Sequence, residues 1–240
     1  EPPLSGRYGS GTIFFSSCNL KCIFCQNYQV SHGTRGEGLD SAALARIMLS
    51  LQEKRCHNIG PVTPTPQTPQ IMEALAMARS RGLSLPIVYN TGGYDTLELL
   101  QQLQGSIEIY MPDLKYFDNE KALKYSGARN YVETAAAAIN EMFRQVGNIE
   151  LDNNGVAKKG LLVRHLVLPN DLASSQKALD FLASVSRDLW VSLMTQYSPQ
   201  YRAIEFTELS RRLRAEEYEK VLAHARAIGL HNVYVQEMGS

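Results

Sequence analysis

The 240-residue chain carries 24 lysines and arginines against 24 aspartates and glutamates, so its formal net charge is zero. This balance provides no broad basic field, and nucleic acid is therefore not expected as a partner. Hydrophobic residues make up 44% of the chain, but no apolar run approaches the roughly 20 residues that span a bilayer, and the first residues lack a secretory signal, which predicts a cytoplasmic protein without a membrane partner.

Apolar, β-rich runs alternate with amphipathic stretches from Gly11 onward, and nearly every run ends in a turn that opens a helix. This alternation is typical of a parallel sheet. Six strands are predicted, at residues 12–16, 58–63, 86–91, 107–112, 161–168 and 189–195. Helices are predicted near residues 41–55, 69–81, 96–103, 131–146, 174–186 and 207–228, and a short strand at 232–236 follows the last of them.

Residues 148–160 contain the turn sequence Asn-Asn-Gly and predict a small hairpin inserted before the fifth strand. No linker rich in proline, glycine or serine divides the chain, so a single domain over residues 1–240 is expected.

Six βα units are too few for a closed eight-stranded barrel, and no Gly-x-Gly-x-x-Gly motif follows the first strand to favour a dinucleotide-binding sheet. The predicted fold is therefore α/β, an incomplete (β/α)6 barrel of the TIM type with parallel strands. In such folds the chemistry gathers at the carboxyl ends of the strands.

Three of the four cysteines, Cys18, Cys22 and Cys25, lie within eight positions directly after the first strand. The spacing C-x3-C-x2-C lets one short loop bring three thiolates to a single inorganic centre. A [4Fe-4S] cluster normally takes four thiolates, so three on one loop leave either a remote cysteine ligand or one iron open to a small molecule.

Two other interpretations of the cysteine loop remain open on spacing alone. A structural zinc site needs a fourth ligand, for which His32, His57 and Cys56 are candidates, although structural zinc usually takes its ligands as two separated pairs. A redox dithiol of Cys22 and Cys25 leaves Cys18 unexplained. Outside a metal site, Cys56 is expected to be a small buried core residue.

The cysteine motif, with Phe24 just before its last cysteine, resembles the signature of radical S-adenosylmethionine (SAM) enzymes. The resemblance is greatest to the branch similar to pyruvate formate-lyase activating enzymes, and it runs along almost the whole chain. The other matching motifs are GSGTIFF (9–15), CQN (25–27), VTPT (62–65), MPDLKY (111–116) and RHLVLP (164–169).

The resemblance implies that Cys18, Cys22 and Cys25 are the catalytic metal ligands of a [4Fe-4S] cluster whose fourth iron is chelated by the amino and carboxylate groups of SAM. Reduction of the cluster would cleave SAM to methionine and a 5′-deoxyadenosyl radical that abstracts a hydrogen atom. It also implies that Phe24 and Asn27 contact the adenine side of SAM.

Asn90 and Thr91 end the third strand, and Asp113 and Lys115 follow the fourth. The resemblance implies that these residues lie where the activating enzymes bind the ribose and carboxylate of SAM and, in part, a monovalent cation. Lys115 would supply a positive charge for a carboxylate, and Asp113 could hold Lys115 or accept hydrogen bonds from hydroxyls.

Arg164 lies inside an apolar strand, where an unpaired guanidinium would be costly to bury, so it needs an anion. The carboxylate of SAM is the expected one. His165 should point to the opposite face and is expected to be structural.

The chain departs from the resembled family at two points. Typical members have a Gly-Gly-Glu turn after the second strand that holds the amino group of SAM, whereas this chain has VTPTPQTPQ (62–70), in which Thr63 and Thr65 would have to act instead. Near the sixth strand the activating enzymes carry a histidine, for which Gln196 or Tyr197 would substitute.

The resemblance favours an enzyme that generates a glycyl radical on a partner enzyme, with flavodoxin or ferredoxin as electron donor, and a monomer is expected. Radical modification of a small molecule or a peptide is the alternative within the enzyme class. A zinc-stabilised binding module is the alternative from another class.

Overall fold

A computed structural model of the chain describes residues 1–33 and 35–236. The eight strands in these residues are β1 (Gly11–Phe14), β2 (Ile59–Val62), β3 (Val88–Thr91), β4 (Ile109–Pro112), β5 (Glu150–Leu151), β6 (Ala157–Leu166), β7 (Trp190–Met194) and β8 (Asn232–Val235). The helices are α1 (Pro2–Ser5), α2 (Tyr28–Ser31), α3 (Ser41–Glu53), α4 (Thr68–Ser80), α5 (Leu97–Leu103), α6 (Asn119–Ser126), α7 (Tyr131–Val146), α8 (Ser175–Val185) and α9 (Ala215–Ala227).

Seven of these strands form a parallel sheet in the order β1-β2-β3-β4-β6-β7-β8, and β5 pairs antiparallel with β6. In the described part of the chain, β1 and β8 stand at opposite ends of this order, so the sheet is open. The predicted α/β fold with an incomplete barrel is thereby confirmed. The short strand expected at 232–236 is the seventh parallel strand.

Strand alternation sends neighbouring side chains to opposite faces of the sheet. Tyr89 and Tyr110 belong to the large core between the sheet and the helices, while their neighbours Val88 and Ile109 belong to a smaller cluster on the other face. Leu4 of α1 joins that smaller cluster. Both faces are therefore buried, as expected for parallel strands.

The predicted hairpin at 148–160 is present, but it is not a separate insertion. Its second strand is the first part of β6, which continues into the parallel sheet. Asp152 fixes the turn, because its carboxylate accepts hydrogen bonds from the backbone N–H groups of Asn154 and Val156.

Helix α6 was not predicted, and α9 begins later than the expected residue 207. Short 3₁₀ turns occupy Ala203–Glu205 and Thr207–Leu209. Glu217 fixes the start of α9, since its carboxylate accepts from the backbone N–H of Arg214 and from the guanidinium of Arg211.

Cys56 is half-buried rather than part of the core. It lies between α3 and β2. Within residues 1–33 and 35–236, no helix combines the length and the apolar character needed to cross a membrane.

Candidate active site

The cysteine loop follows β1 and is held in place by backbone hydrogen bonds to distant parts of the chain. Lys21 N donates to Ser126 O at 2.8 Å and Ile23 N donates to Tyr125 O at 2.9 Å, both at the end of α6. Arg202 N donates to Ile23 O at 2.9 Å from the other side. Helix α6, which was not predicted from the sequence, therefore supports the cysteine loop.

Each of the three thiols in this loop has a polar neighbour. Ser126 Oγ donates to the buried Cys22 Sγ at 3.0 Å and lies 2.8 Å from Tyr116 Oη. Cys25 Sγ lies 3.1 Å from Ser31 Oγ, and Leu20 N donates to Cys18 Sγ at 3.4 Å. Burial raises the pKa of Cys18, and it raises the pKa of Cys22 to about 11 although Lys115 opposes it.

All three cysteines line one cavity of about 130 Å³ at the carboxyl ends of the strands. Its walls also include the predicted residues Asn27, Thr63, Asn90, Thr91, Asp113, Lys115 and Arg164. Among the described residues, no three His, Cys, Asp or Glu side chains are grouped closely enough to hold a single metal ion. Cys56 does not line this cavity.

The cavity walls fit a polynuclear sulfur cluster with an anionic ligand. Three soft thiol donors face a space with two cationic side chains, Lys115 and Arg164. His32 lines the same space, and its buried Nε2 has no hydrogen-bond partner in the described part of the chain. An orphaned polar atom of this kind indicates that a further group belongs in the cavity.

Asp113 pairs with both of these cations. Its Oδ1 accepts from Arg164 Nε and its Oδ2 accepts from Lys115 Nζ, each at 2.7 Å. Arg164 Nη2 also donates to Asn90 Oδ1 at 2.9 Å. The anion that Arg164 required is therefore Asp113 within the protein.

The charges in this trio shift one another's pKa values. Burial alone would raise the pKa of Asp113, but Arg164 and Lys115 hold it below its ordinary value. Burial alone would lower the pKa of Lys115, but Asp113 raises it above its ordinary value. All three groups are therefore charged at neutral pH, and the trio carries a net positive charge.

A second cavity of about 210 Å³ adjoins the first and shares Cys22, Cys25 and Lys115 with it. Its apolar walls are Phe24, Leu166, Leu168 and Met194. Gln196 and Tyr197 complete it after β7.

The aromatic residues that line the second cavity are fixed by their own packing. Phe24 is buried with its ring edge-on to Tyr116 and Tyr197, at centroid distances of 6.4 and 5.9 Å. Tyr197 Oη donates to Leu209 O at 2.7 Å. Gln196 is exposed, and its carbonyl accepts from Gln26 Nε2 at 3.0 Å. This cavity therefore combines an apolar floor with backbone and amide groups at its rim.

His165 lies on the opposite face of β6 from Arg164 and is fully buried. Its Nδ1 lies 2.7 Å from Leu114 O and its Nε2 lies 2.9 Å from Ser175 Oγ. It is structural, as expected.

The two threonines after β2 have different surroundings. Thr63 adopts a left-handed backbone, with φ 57°, and donates its N–H to Asn90 O at 2.9 Å. Thr65 Oγ1 donates instead to Asp95 Oδ1 at 2.8 Å. Asp95 is almost completely buried, at 1% exposure.

Sequence reasoning missed three residues that shape this region: Asp95, Ser126 and Tyr131. Tyr131 Oη donates to Asp113 O at 2.9 Å and accepts from Lys115 N at 2.8 Å, which fixes the backbone after β4. The position of Asp95, four residues after the end of β3, was a readable signal. Ser126 and Tyr131 act through contacts that are distant in sequence and gave no such signal.

The family assignment follows from a match over more than half of the chain. The sequence profile of the Radical SAM superfamily matches residues 12–150, which include the cysteine loop and the first four strands. The chain belongs to the radical SAM superfamily. Members of this superfamily cleave SAM at an iron-sulfur cluster, so the cofactors are a [4Fe-4S] cluster and SAM. The zinc interpretation of the loop loses its support.

A relative from Methanocaldococcus jannaschii, the uncharacterized protein MJ0674, is 29% identical over 232 residues. The match covers 94% of this radical SAM chain and 64% of the relative. This chain therefore spans less than two thirds of the length of that protein.

Solved structures share the fold at low sequence identity. Streptococcus suis SuiB bound to the precursor peptide SuiA has a TM-score of 0.61 at 11% identity, over 95% of this chain and 48% of SuiB. A domain of pyruvate-formate lyase-activating enzyme from Bacteroides vulgatus has a TM-score of 0.51 at 13% identity, over 72% of this chain and 94% of that domain. The fold of this chain is thus shared with both of these structures.

Proposed function

We propose that this chain is a radical SAM enzyme that binds a [4Fe-4S] cluster through Cys18, Cys22 and Cys25 and SAM in the adjoining space, and abstracts a hydrogen atom from a substrate. When bound, the cluster and SAM supply the reductive cleavage of a sulfonium bond. The observation that carries the proposal is the common cavity of three thiols and two cationic side chains. Three cysteine ligands leave one iron free for a small molecule.

The remaining site residues have separate proposed tasks. Lys115 and Arg164 attract the carboxylate of SAM, and Asp113 holds them at fixed positions. Asn90 orients Arg164 and is available to the ribose. The second cavity receives the adenine, with Phe24 and the apolar strand-end residues as its floor.

At the edges of that cavity, Asn27 and Gln196 offer amide groups to the adenine. Thr63 and Thr91 line the first cavity. Together with Thr65, they are proposed to contact the amino group of SAM in place of a Gly-Gly-Glu turn. The protein thereby orients its ligand and limits the access of water.

For the substrate, we propose a glycine of a partner enzyme, so that the protein is a glycyl-radical activase with flavodoxin or ferredoxin as its electron donor. The open sheet supports a large substrate, because a peptide loop can reach the site from the open side. The shared fold with a pyruvate-formate lyase-activating domain supports it as an analogy.

A peptide or small-molecule substrate is the second candidate, since SuiB, which shares the fold, is bound to a precursor peptide.

We further propose that residues 1–240 form one domain that acts in the cytoplasm as a monomer. The main core cluster supports a single domain, because it is continuous from Leu20 to Leu230 and contains residues of every large helix.

Anaerobic purification and cluster reconstitution test the central proposal. We expect about four irons per chain and SAM-dependent release of methionine under dithionite, both lost in Cys22→Ala. Lys115→Ala and Arg164→Ala should keep the irons but weaken SAM binding by about tenfold, because each removes a charge-assisted contact. Lys121→Ala, which removes a lysine paired with Asp118, is the matched control and should bind SAM normally.

The substrate proposal has its own test. Reduced enzyme and SAM are incubated with candidate glycyl-radical enzymes, and a glycyl doublet is sought by electron paramagnetic resonance. A doublet supports the activase role. Its absence with every candidate, while SAM is still cleaved, favours the peptide or small-molecule alternative.

A further inference from the structure

Cys22 receives a hydrogen bond from a side-chain hydroxyl that has a second hydroxyl behind it. Ser126 Oγ donates to Cys22 Sγ at 3.0 Å, and Tyr116 Oη lies 2.8 Å from Ser126 Oγ. All three residues are buried. Bulk water therefore has little access to compete for these contacts, and each hydrogen bond is stronger than it would be at the surface.

The direction of both hydrogen bonds follows from the protons that the groups carry. A cysteine that binds iron is a thiolate, which can only accept a hydrogen bond. Ser126 Oγ therefore gives its single proton to the sulfur and accepts from Tyr116 Oη. Among the described residues, Tyr116 Oη has Ser126 as its one hydrogen-bond partner. The order of donation thus runs from Tyr116 through Ser126 to Cys22.

The donors to the other two cysteines are weaker. Cys18 Sγ accepts from the backbone N–H of Leu20 at the longer distance of 3.4 Å. Ser31 Oγ lies 3.1 Å from Cys25 Sγ, but it also donates to Asn27 O at 3.1 Å, so a carbonyl competes with the sulfur for its one proton. Within the described residues, neither sulfur thus receives a hydroxyl proton that has no other acceptor nearby.

Hydrogen bonds to the sulfurs of an iron-sulfur cluster help to set its reduction potential. One-electron reduction adds a negative charge, and a donor that points at a ligand sulfur stabilises the more negative state more strongly. Because Cys22 is buried, charge on its sulfur receives little stabilisation from water. The hydroxyl of Ser126 should therefore have a large effect at this position.

We propose that Tyr116 and Ser126 form a hydrogen-bond relay to Cys22 that raises the reduction potential of the cluster. Both are positioning residues, since Tyr116 orients the hydroxyl of Ser126 and Ser126 acts on the ligand sulfur. The inference rests on the proposed function, in which Cys22 is a cluster ligand. With this relay, an electron donor needs less reducing power to deliver the one electron that SAM cleavage uses.

The test measures the one-electron reduction potential of the reconstituted protein without SAM. The protein is titrated anaerobically with dithionite in the presence of redox mediators, and the reduced cluster is followed by electron paramagnetic resonance. Ser126→Ala removes the donor but keeps the backbone hydrogen bond from Lys21 N to the carbonyl of residue 126, so the loop stays attached to α6. We expect the equilibrium constant for reduction to fall about tenfold, a decrease of about 59 mV for a one-electron couple.

Tyr116→Phe is the second variant, in which Ser126 still reaches the sulfur but loses the donor behind it. Its reduction potential should fall in the same direction by a smaller amount, because the hydroxyl of Ser126 is then less polarised. This variant decides the question if Ser126→Ala does not hold a cluster.

Each variant has a matched control among the buried hydroxyls. Ser175→Ala removes a serine hydroxyl that contacts His165 Nε2 and no thiol. Tyr110→Phe removes a phenolic hydroxyl that donates to Gln145 Oε1. Both controls should keep the wild-type reduction potential, even where they lower the free energy of unfolding.

The outcomes separate the relay from the proposed function. A wild-type protein that binds no iron-sulfur cluster after reconstitution contradicts the proposed function. If the cluster is held, a potential of Ser126→Ala or Tyr116→Phe that is equal to or higher than that of its control overturns the relay and leaves the proposed function standing. Lower potentials than those of the controls establish the relay.

Discussion

A single carboxylate, Asp113, holds two cationic side chains at the ends of β4 and β6. The side chain of Asp113 is 14% exposed, and those of Lys115 and Arg164 are 21% and 19% exposed. A mostly buried ion pair contributes less than its Coulomb energy suggests, because all partners lose water. Removal of the Asp113 charge should nevertheless lower the free energy of unfolding strongly, since both cations then remain buried without a negative partner.

Asp113→Asn is expected to lower the free energy of unfolding by about 3 kcal/mol, the usual cost of breaking a buried ion pair from one side. Urea denaturation at pH 7 measures the change. Glu205→Gln is the control, because it breaks the exposed pair with Arg202 and should have little effect. Similar stability of both variants would contradict the argument.

The contribution of Asp113 to stability should depend on pH in a defined direction. Arg164 and Lys115 hold its pKa below its ordinary value of 3.8. A carboxyl group with a depressed pKa stabilises the fold fully above that ordinary value and loses its contribution as the pH falls through the folded pKa. The stability difference between wild type and Asp113→Asn should therefore be constant from pH 5 to 7 and shrink below about pH 4.

Urea titrations of both proteins at several pH values test this expectation. A difference that persists unchanged at pH 3 would show that the ion pair does not contribute through the charge of Asp113.

Among the helices and strands, α6, which supports the cysteine loop, was the element hardest to predict from the sequence. The loop and β1 were predictable from the cysteine spacing and the apolar run before it. Helix α6 was missed because its sequence, NEKALKYS, is mostly polar and buries only Ala122, Tyr125 and Ser126. Its end signals were readable, since Asp118 caps its first turn and Gly127 ends it in a left-handed conformation.

Gly127→Ala should weaken the hydrogen bonds between the end of α6 and the cysteine loop. Gly127 has φ 65°, and an alanine in the left-handed region costs roughly 1 kcal/mol or more. The change lies next to Ser126, whose side chain and carbonyl contact Cys22 and Lys21. We expect iron to be lost several times faster from the reconstituted variant during a challenge with a chelator.

Gly105→Ala is the matched control for this variant. Gly105 also has a left-handed backbone, with φ 80°, and a Cβ there would meet no atom within 4 Å. Its free energy of unfolding should fall by a similar amount, but its iron should be retained as in wild type. Equal iron loss in both variants would mean that the overall stability of the protein, and not the contacts between α6 and the cysteine loop, governs retention of the cluster.

Over the whole molecule, the sequence predicted the positions of the parallel strands well, because buried strands are apolar runs that end in turns. The same reasoning could assign residues to positions along the chain, but it could not predict which side chains pair across neighbouring strands. It placed Asp113, Lys115 and Arg164 at strand ends, but the pairing of Arg164 with Asp113 depends on the register between β4 and β6. Asp95 was missed because its partners come from β3 and from the turn after β2, which are distant from each other along the chain.

The site draws residues from the ends of β3, β4, β6 and β7 and from the cysteine loop, so a bound ligand should stabilise the entire sheet. SAM at 100 times its dissociation constant should raise the free energy of unfolding of the cluster-loaded protein by about 2.7 kcal/mol. Thermal unfolding should show this as a rise of roughly 2–4 °C for each kcal/mol.

Cys22→Ala provides the comparison for this ligand effect. Without a cluster, this variant should show a much smaller rise in unfolding temperature at the same SAM concentration. The reason is that it lacks the iron without a cysteine ligand, which would complete the SAM site. An equal rise in both proteins would place SAM binding elsewhere.

Lys115 and Arg164 outnumber their shared partner Asp113, so the wall of the first cavity that these three residues form has an excess of one positive charge. An anionic group near this wall is attracted before any contact forms. A small molecule with one negatively charged end should therefore enter the cavity with that end first.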